Sequence, residues 1–346
     1  MLLREAAALA EDLRERVPVF AGRAAGLLSA SEWSAVRQVY LVGDGDSYHA
    51  ACAAEMAFET IGGVTCRPMS AFRFAEYGSG WMRDPGGTLV VAATASGRTP
   101  AVLDALRRAR EHGAPTVAIT GTAGSPVTEV ADRVLAVELP DKEPGPGVRS
   151  YQATLLGMLL LALRLGDAGT LLGELTALAD VVTATDRALT AHTDVAGWVA
   201  AAPVMVVAGS GPNHGTAQYA AAKLVEGAGV MAMGQDLEEW CHVERWAYPL
   251  DMPVFVIAVP GRSHARAVAM AARARELGRR VVAVAHAGDG AIAPHAHALL
   301  PVARPETGDV REAFSPLVCH VFAAHLAAHV ATTLGRLPFH ADRAVT

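Results

Sequence analysis

Short, almost uniformly apolar runs alternate along this chain with Ala-rich stretches of helical character. Residues 39–42 (VYLV) lead through Gly-Asp-Gly-Asp-Ser into a helical stretch over 50–60. Thr88–Ala93 (TLVVAA) leads through TASGRT into a helical segment over 100–112, and Thr116–Thr120 (TVAIT) leads into GTAGSP. A short strand that is apolar at every position is buried on both faces, and a Gly-rich turn into a helix after each strand is the connection that parallel strands need. The pattern predicts an α/β chain built on a mostly parallel sheet flanked by helices on both faces.

The pattern then recurs. Residues 204–208 (VMVVA) run into GSGPNHGTA, 254–259 (VFVIAV) into PGRSHA, and 281–285 (VVAVA) into HAGDGA. Gly43 maps onto Gly209, Ser96 onto Gly261 and Ala118 onto Ala283, at an offset of 165 or 166. That period is far too long for a solenoid unit and implies that a whole domain is repeated. The segment 170–199, rich in Leu and Ala, reads as helices bridging the copies. The expected division is a first domain over 1–165, a helical linker over 166–200 and a second domain over 201–346.

Ligands of open α/β sheets sit beyond the carboxyl ends of the strands, so the turns there carry the functional information. After the second strand run of the first copy comes Thr94-Ala95-Ser96-Gly97-Arg98-Thr99-Pro100. Three hydroxyls, a glycine and a proline at the expected first helical position place donors at a helix N-terminus, a neutral seat suited to a phosphate monoester. Ser47, following Gly45 on the neighbouring turn, adds a fourth hydroxyl from the same rim. The corresponding turn of the second copy, Pro260-Gly261-Arg262-Ser263-His264, lacks the hydroxyl cluster. Helix capping is the plain alternative, but one N-cap accounts for one hydroxyl and not for three. A dinucleotide fingerprint is not completed after Gly43, and no Walker A motif is present.

In the second copy, Lys223-Leu-Val-Glu226 lies on a helix and Asp236-Leu-Glu-Glu-Trp-Cys-His242 follows. A carboxylate at a helix end and a histidine downstream are candidates for moving protons near neutral pH. A solvated helix residue and a surface histidine would present the same letters, and spacing alone leaves both readings open. Cys241 beside His242 is not read as a nucleophile, because neighbours along a strand point in opposite directions. His325 and His329 share a helix face at i, i+4, but there is no HExxH glutamate and no metal site is expected. The loop Asp141-Lys-Glu-Pro-Gly-Pro-Gly147 reads as a shaped linker leading toward a substrate pocket, with Glu143 a lesser candidate for facing the ligand.

Composition narrows the partners. The 346 residues are 52% hydrophobic, 18% charged and 5% aromatic, which excludes whole-chain disorder, and the Ala content favours closely packed helices. A net charge of −6 without local Lys/Arg blocks gives no footprint for nucleic acid. Residues 1–16 read as an amphipathic helix and not as a signal peptide, and the longest apolar stretch, 153–163, is short of a membrane span. Four scattered cysteines without a CxxC pair point to a reducing, cytoplasmic setting.

These motifs together resemble the tandem SIS (sugar isomerase) family, in particular the isomerase half of glucosamine-6-phosphate synthase and related fructosamine deglycases and amino-sugar phosphate isomerases and deaminases. The family's S-x-S-G-x-T loop is matched by 94–99, its G-x-G-x-S turn by 43–47, and an S-E-F-R-Y-like stretch by 70–74. Its K-L-K-E and G-E-L-K-H motifs are matched by 223–226 and by His242, sixteen residues after Glu226, with Glu239 at the motif glutamate. The resemblance implies two SIS domains and a phosphosugar substrate held by Ser47, Thr94, Ser96 and Thr99, with Gly45, Arg98, Ser150 and Glu239 contacting it. It further implies Glu226 as the base shuttling a proton between C1 and C2, His242 opening the sugar ring in the active site of a partner subunit, a homodimer, and no cofactor.

Two family lysines are replaced. Arg343 stands where the catalytic lysine of the C-terminal tail is expected, and arginine binds anions or hydroxyls but does not take up a proton or form a Schiff base. The V-x-S-T-K segment reads Val148-Arg149-Ser150-Tyr151-Gln152. No glutaminase-type N-terminal cysteine is present, so nitrogen chemistry would draw on ammonia or an amine from elsewhere. The rival reading is a non-catalytic sugar-phosphate sensor or regulatory subunit, favoured by the missing lysines and disfavoured by the retained Glu226 and His242.

Overall fold

The computed structural model of the chain describes residues 1–192 and 194–339. Strands β1 (Gln38–Gly43), β2 (Thr65–Ser70), β3 (Thr88–Ala93), β4 (Thr116–Thr120) and β5 (Arg133–Ala136) form one parallel sheet in the order β2-β1-β3-β4-β5. Strands β6 (Met205–Ala208), β7 (Ala232–Gln235), β8 (Pro253–Ala258), β9 (Arg280–His286) and β10 (Ala298–Val302) form a second parallel sheet in the order β10-β9-β8-β6-β7. Read from the β7 edge, the second sheet has the same order as the first.

The six apolar runs of the sequence are the six inner strands of the two sheets. The four strands without an apolar run, β2, β5, β7 and β10, are the four edges. β3 and β8 are buried at all six of their positions, whereas β2 alternates between exposed and buried residues and carries Pro68. An edge strand needs fewer apolar residues and tolerates proline on its unpaired side. Its sequence therefore resembles a loop.

Helices cover both faces of each sheet. In the first, alternate residues Tyr40, Val42, Val90 and Ala92 pack with Val102, Ala105, Leu106 and Ala109 of a helix over Pro100–Glu111. The intervening Val39, Leu41, Leu89 and Val91 are just as buried, and helices Asp46–Thr60 and Arg149–Leu165, which pack on each other, supply that second layer. We number these three helices in chain order: α1 (Asp46–Thr60), α2 (Pro100–Glu111) and α3 (Arg149–Leu165). Ala50, Ala51, Ala53, Ala54 and Ala57 of α1 are fully buried, which shows where the chain's alanines go. Small side chains let helix and neighbour approach closely.

In the second sheet, Val206, Ala208, Val254 and Val256 pack with Ala267, Met270, Ala271 and Ala274 of helix His264–Glu276. On its other layer, helices Pro212–Ala228 and Val321–Leu334 pack on each other. The segment Glu312–Leu334 is long and apolar enough to cross a membrane by length and composition, yet 72% of its apolar window is buried inside the fold. It serves as a core helix.

The chain divides into two compact units. The first comprises residues 11–142 and 149–177, and the second comprises residues 1–10 and 143–148 together with the chain from Leu178 onward. Helices Leu172–Leu189 and Val195–Ala200 occupy most of the stretch before β6.

Candidate functional site

In the order β2-β1-β3-β4-β5 the winding reverses between β1 and β3. The crevice beyond the carboxyl ends of two such strands is where doubly wound sheets hold ligands. Both turns singled out from the sequence lie there. After β1, Gly45 occupies the N-cap of α1 at φ +53, and a Cβ built on it would meet nothing within 4 Å. The glycine thus serves the backbone conformation and leaves the turn open. Ser47, buried in the first turn of α1, crosses so close to Gly43 that a Cβ there would fall 2.7 Å from its own. Asp44 fastens this turn, its Oδ1 accepting from the amide of Ala71 at 3.0 Å.

After β3, Thr99 is the N-cap of α2 and Pro100 its first residue, but the Thr99 side chain caps no amide. Its Oγ1 lies instead 2.9 Å from Oγ1 of Thr94, which is 3.5 Å from Oγ of Ser96. Ser96 Oγ accepts from the amide of Arg98 at 3.3 Å. The guanidinium of Arg98 is exposed and, among the described residues, without a partner. The structure therefore gathers three hydroxyls at a helix start without spending the N-cap hydroxyl on the helix.

The support behind this turn was not legible in the motif. Gly97 has φ +66, and a Cβ on it would lie 1.8 Å from Ser125 Oγ and 3.2 Å from Thr120 Oγ1. Gly97 O accepts from Val127 N at 3.0 Å, and Thr122 Oγ1 donates to Ala95 O at 3.0 Å. The GTAGSP turn after β4 is the sequence signal for this brace. Ser150, at the start of α3, lines a small recess with Ala95, Gly121 and Lys142, the last a cation the motif reading assigned no role. Arg149 is structural: its buried guanidinium makes a two-bond ion pair with Asp12, at 2.7 and 2.8 Å. Gln152, where a family lysine was expected, is buried in α3. Glu143 belongs to the second unit and is held by Arg4 at 2.7 and 2.8 Å.

In the second unit, Glu226 lies in the last turn of helix Pro212–Ala228. Lys223 Nζ donates to Glu226 Oε2 at 2.5 Å. The lysine side chain is fully buried and the glutamate side chain 30% exposed. The ammonium also stands 5.2 Å from the centre of the Tyr219 ring, whose hydroxyl donates to Gly147 O at 3.0 Å. A buried lysine at i−3 fixes the carboxylate and balances its charge, a role that the sequence reading did not give Lys223.

His242 ends a short helix, Leu237–His242, so Cys241 and His242 are helical neighbours and not strand neighbours. Its Nε2 lies 3.0 Å from Oε1 of Glu238, and Arg266 pairs with the other Glu238 oxygen. Those two contacts hold the Glu238 carboxyl below its ordinary range. His242 and Glu239 are both exposed, and Glu226 and His242 are held by separate sets of partners. Cys241 is buried, which pushes its thiol up and away from nucleophile chemistry. His325 pairs with Asp186 at 2.7 Å. Arg343 lies outside the described residues.

The second sheet reverses between β6 and β8, and its crevice is furnished differently. Glu312 Oε1 accepts from the amide of Arg262 at 2.8 Å, and a Cβ on Gly261 would meet that oxygen at 2.5 Å. Three residues on, Ser315 Oγ accepts from Asn213 Nδ2 at 2.9 Å. Asn213 and Arg262 stand 166 and 165 residues after Ser47 and Gly97. One turn of the chain thus occupies both sides of this crevice, a carboxylate taking the amide that an external anion would use.

Residues 34–164 match the SIS domain family. The chain is 31% identical over 317 residues to a glutamine–fructose-6-phosphate aminotransferase (isomerizing) of Streptomyces coelicolor, covering 87% of this chain and 50% of the relative. A protein of the same description from Mycobacterium tuberculosis is 27% identical over 318 residues, with the same coverage of 87% and 50%. The chain therefore spans about half the length of the curated relatives it matches. Among solved structures, it shares the fold of the C-terminal domain of glucosamine-fructose-6-phosphate aminotransferase from Francisella tularensis, with TM-score 0.84, 16% identity and 97% coverage of each chain. It also shares that of glucosamine-6-phosphate deaminase from Thermotoga maritima, with TM-score 0.76, 18% identity and coverage of 98% and 97%.

Proposed function

From the premise that this is a SIS-domain protein, homologous to part of the isomerizing aminotransferases, we propose that it binds a sugar or amino-sugar phosphate and moves a proton between C1 and C2. The observation that carries the reading is the hydroxyl pair Thr94–Thr99 at the switch point of the first sheet, left free of helix capping. Ser47, Thr94, Ser96 and Thr99 hold the phosphate, with Gly45, Arg98 and Ser150 lining the same end of the sheet. Hydroxyls and amides at a helix start bind a dianion without lysines, in keeping with a chain of net charge −6.

Glu226 is the proton carrier, oriented by Lys223. His242, with Glu239 beside it, opens the sugar ring and works in the site of a second subunit. In support of that arrangement, the segment after His242 exposes Val243, Trp246, Tyr248 and Leu250, an apolar surface beside a polar catalytic group. Arg343 binds an anion or hydroxyl in place of the tail lysine. The second sheet is read as a second SIS domain, because its strand order repeats and glycines of positive φ recur in pairs, Gly45 with Gly211, Gly63 with Gly229 and Gly113 with Gly278. Isomerisation, amination from ammonia, deamination and deglycation all pass through this proton transfer.

A sensor is the second reading, favoured by Arg149 being locked to Asp12 and by Gln152 in place of a lysine. Incubation with fructose 6-phosphate or glucosamine 6-phosphate in deuterated water separates the two. Label at C1 or C2 supports catalysis, and thermal stabilisation by the sugar phosphate without label supports the sensor.

A further inference from the structure

The first unit carries another polar recess at the opposite end of its sheet. Strands β1, β2 and β3 begin at Gln38, Thr65 and Thr88, and these three starts floor a groove of about 790 Å³. Its walls hold the side chains of Arg37, Arg67 and Arg83 and the ring of Trp81. Among the described residues, the side chains of Arg67 and Arg83 engage no carboxylate or carbonyl. Arg37 reaches only carbonyls of its own turn, Ser34 O at 2.5 Å and Val36 O at 3.1 Å. Asp84, the acid on the wall, is turned onto its own loop, accepting from the amide of Gly87 at 3.1 Å. A chain of net charge −6 has no general reason to gather three arginines round one groove, and their mutual repulsion is relieved by an anion.

The aromatic wall is equally specific. Trp81 is 53% exposed and ends a turn, Ser79–Trp81, whose middle residue Gly80 would meet nothing within 4 Å if it bore a Cβ. The comparable turn of the second sheet, Glu244–Trp246, also ends in an exposed tryptophan, but there the guanidinium of Arg245 lies 4.2 Å over the ring. Glycine in place of that arginine leaves Trp81, among the described residues, with no cation over its ring; its aromatic neighbour is Tyr77, 6.5 Å away between ring centres and tilted by 36°. The positions matching Arg37, Arg67 and Arg83 in the second sheet, at the same offset of 165 or 166, are Pro203, Met233 and Tyr248, so the cationic groove is confined to the first.

We propose that this groove is a binding site for a phosphorylated ligand with a planar ring, of the nucleoside diphosphate class. Trp81 stacks on the ring, and Arg37, Arg67 and Arg83 hold the phosphates. Guanidinium forks match phosphate oxygens in pairs, an exposed indole takes any base, and the volume lies within the usual range of small-molecule sites. The site lies at the amino ends of the strands, away from the turns that carry Ser47 and Thr99. Its ligand is therefore a regulator and not a substrate, and the site does not depend on the phosphosugar reading.

Calorimetric titration of the full chain with ADP and with pyrophosphate tests this. Both bind saturably; Trp81→Ala weakens ADP about tenfold and leaves pyrophosphate within about twofold, as expected for loss of one stacking contact. The double variant Arg67→Ala/Arg83→Ala weakens both ligands at least about tenfold. Thr99→Ala, in the hydroxyl cradle, leaves both unchanged. The altered groove side chains are all exposed, and a retained unfolding temperature confirms an intact fold. Absence of saturable ADP binding overturns the proposal. So does ADP binding that Thr99→Ala abolishes, or that survives Trp81→Ala at full strength.

Discussion

Thr99 Oγ1 lies 2.9 Å from Thr94 Oγ1 although Thr99 is the N-cap of α2. Removing a side chain that truly caps a helix costs about 1 kcal/mol. Here the hydroxyl faces its neighbour, so Thr99→Ala is expected to change the unfolding free energy by less than about 1 kcal/mol and to weaken sugar-phosphate binding about tenfold. Chemical denaturation and titration of the same sample check both. A large stability loss with unchanged affinity would return Thr99 to a capping role.

Glu226 shares its charge with Lys223, and the two must be separated in any mutational test. Glu226→Gln keeps an acceptor for the ammonium while removing the base. Sugar-phosphate affinity is expected to hold, and turnover to fall by roughly 10²–10⁴-fold. Glu226→Leu, which leaves the buried ammonium without that acceptor, is expected to destabilise the fold more than Glu226→Gln does. Unchanged turnover on the true substrate would remove Glu226 from the reaction.

Gly97 is the tightest point of the cradle. A methyl group there meets Ser125 Oγ at 1.8 Å on a backbone already at φ +66. Gly97→Ala is expected to cost at least about 2 kcal/mol and to abolish sugar-phosphate binding, because the turn must shift to admit it. A thermal melt with and without ligand reads both effects.

His320 is fully buried, and burial holds its imidazole down to about 3. The unfolded chain takes up that proton near pH 6.5. Above that pH the folded state keeps its full stability, and as pH falls below it the unfolded state gains protons that the folded state refuses. By pH 5 the loss is on the order of 2 kcal/mol from this one group. Denaturation curves at pH 7 and 5 should therefore lie closer together in His320→Gln than in the unaltered chain. His286 and His329, also held low by burial, go on titrating in both.

How much could be read beforehand followed burial. Val90, Phe255 and their neighbours sit in inner strands whose two covered faces leave no room for polar residues, so their runs announced themselves. Edge strands such as β2, with Arg67 and Pro68, are covered on fewer sides and look like loops. The cradle hydroxyls were legible because they cluster within six residues. Ser125 and Lys223 were not, since their importance lies in what a distant or helical neighbour places against them, Gly97 in one case and Glu226 in the other. The partner of Glu143 was illegible for the same reason: Arg4, which holds it, lies 139 residues away along the chain.

The carboxylate of Glu312 seated on the Arg262 amide has a consequence for stoichiometry. Two sheets of one strand order invite the expectation of two ligands, but the second crevice already holds an anion that cannot diffuse away. A titration with sugar phosphate should accordingly saturate at one equivalent per chain, with a single hyperbolic isotherm.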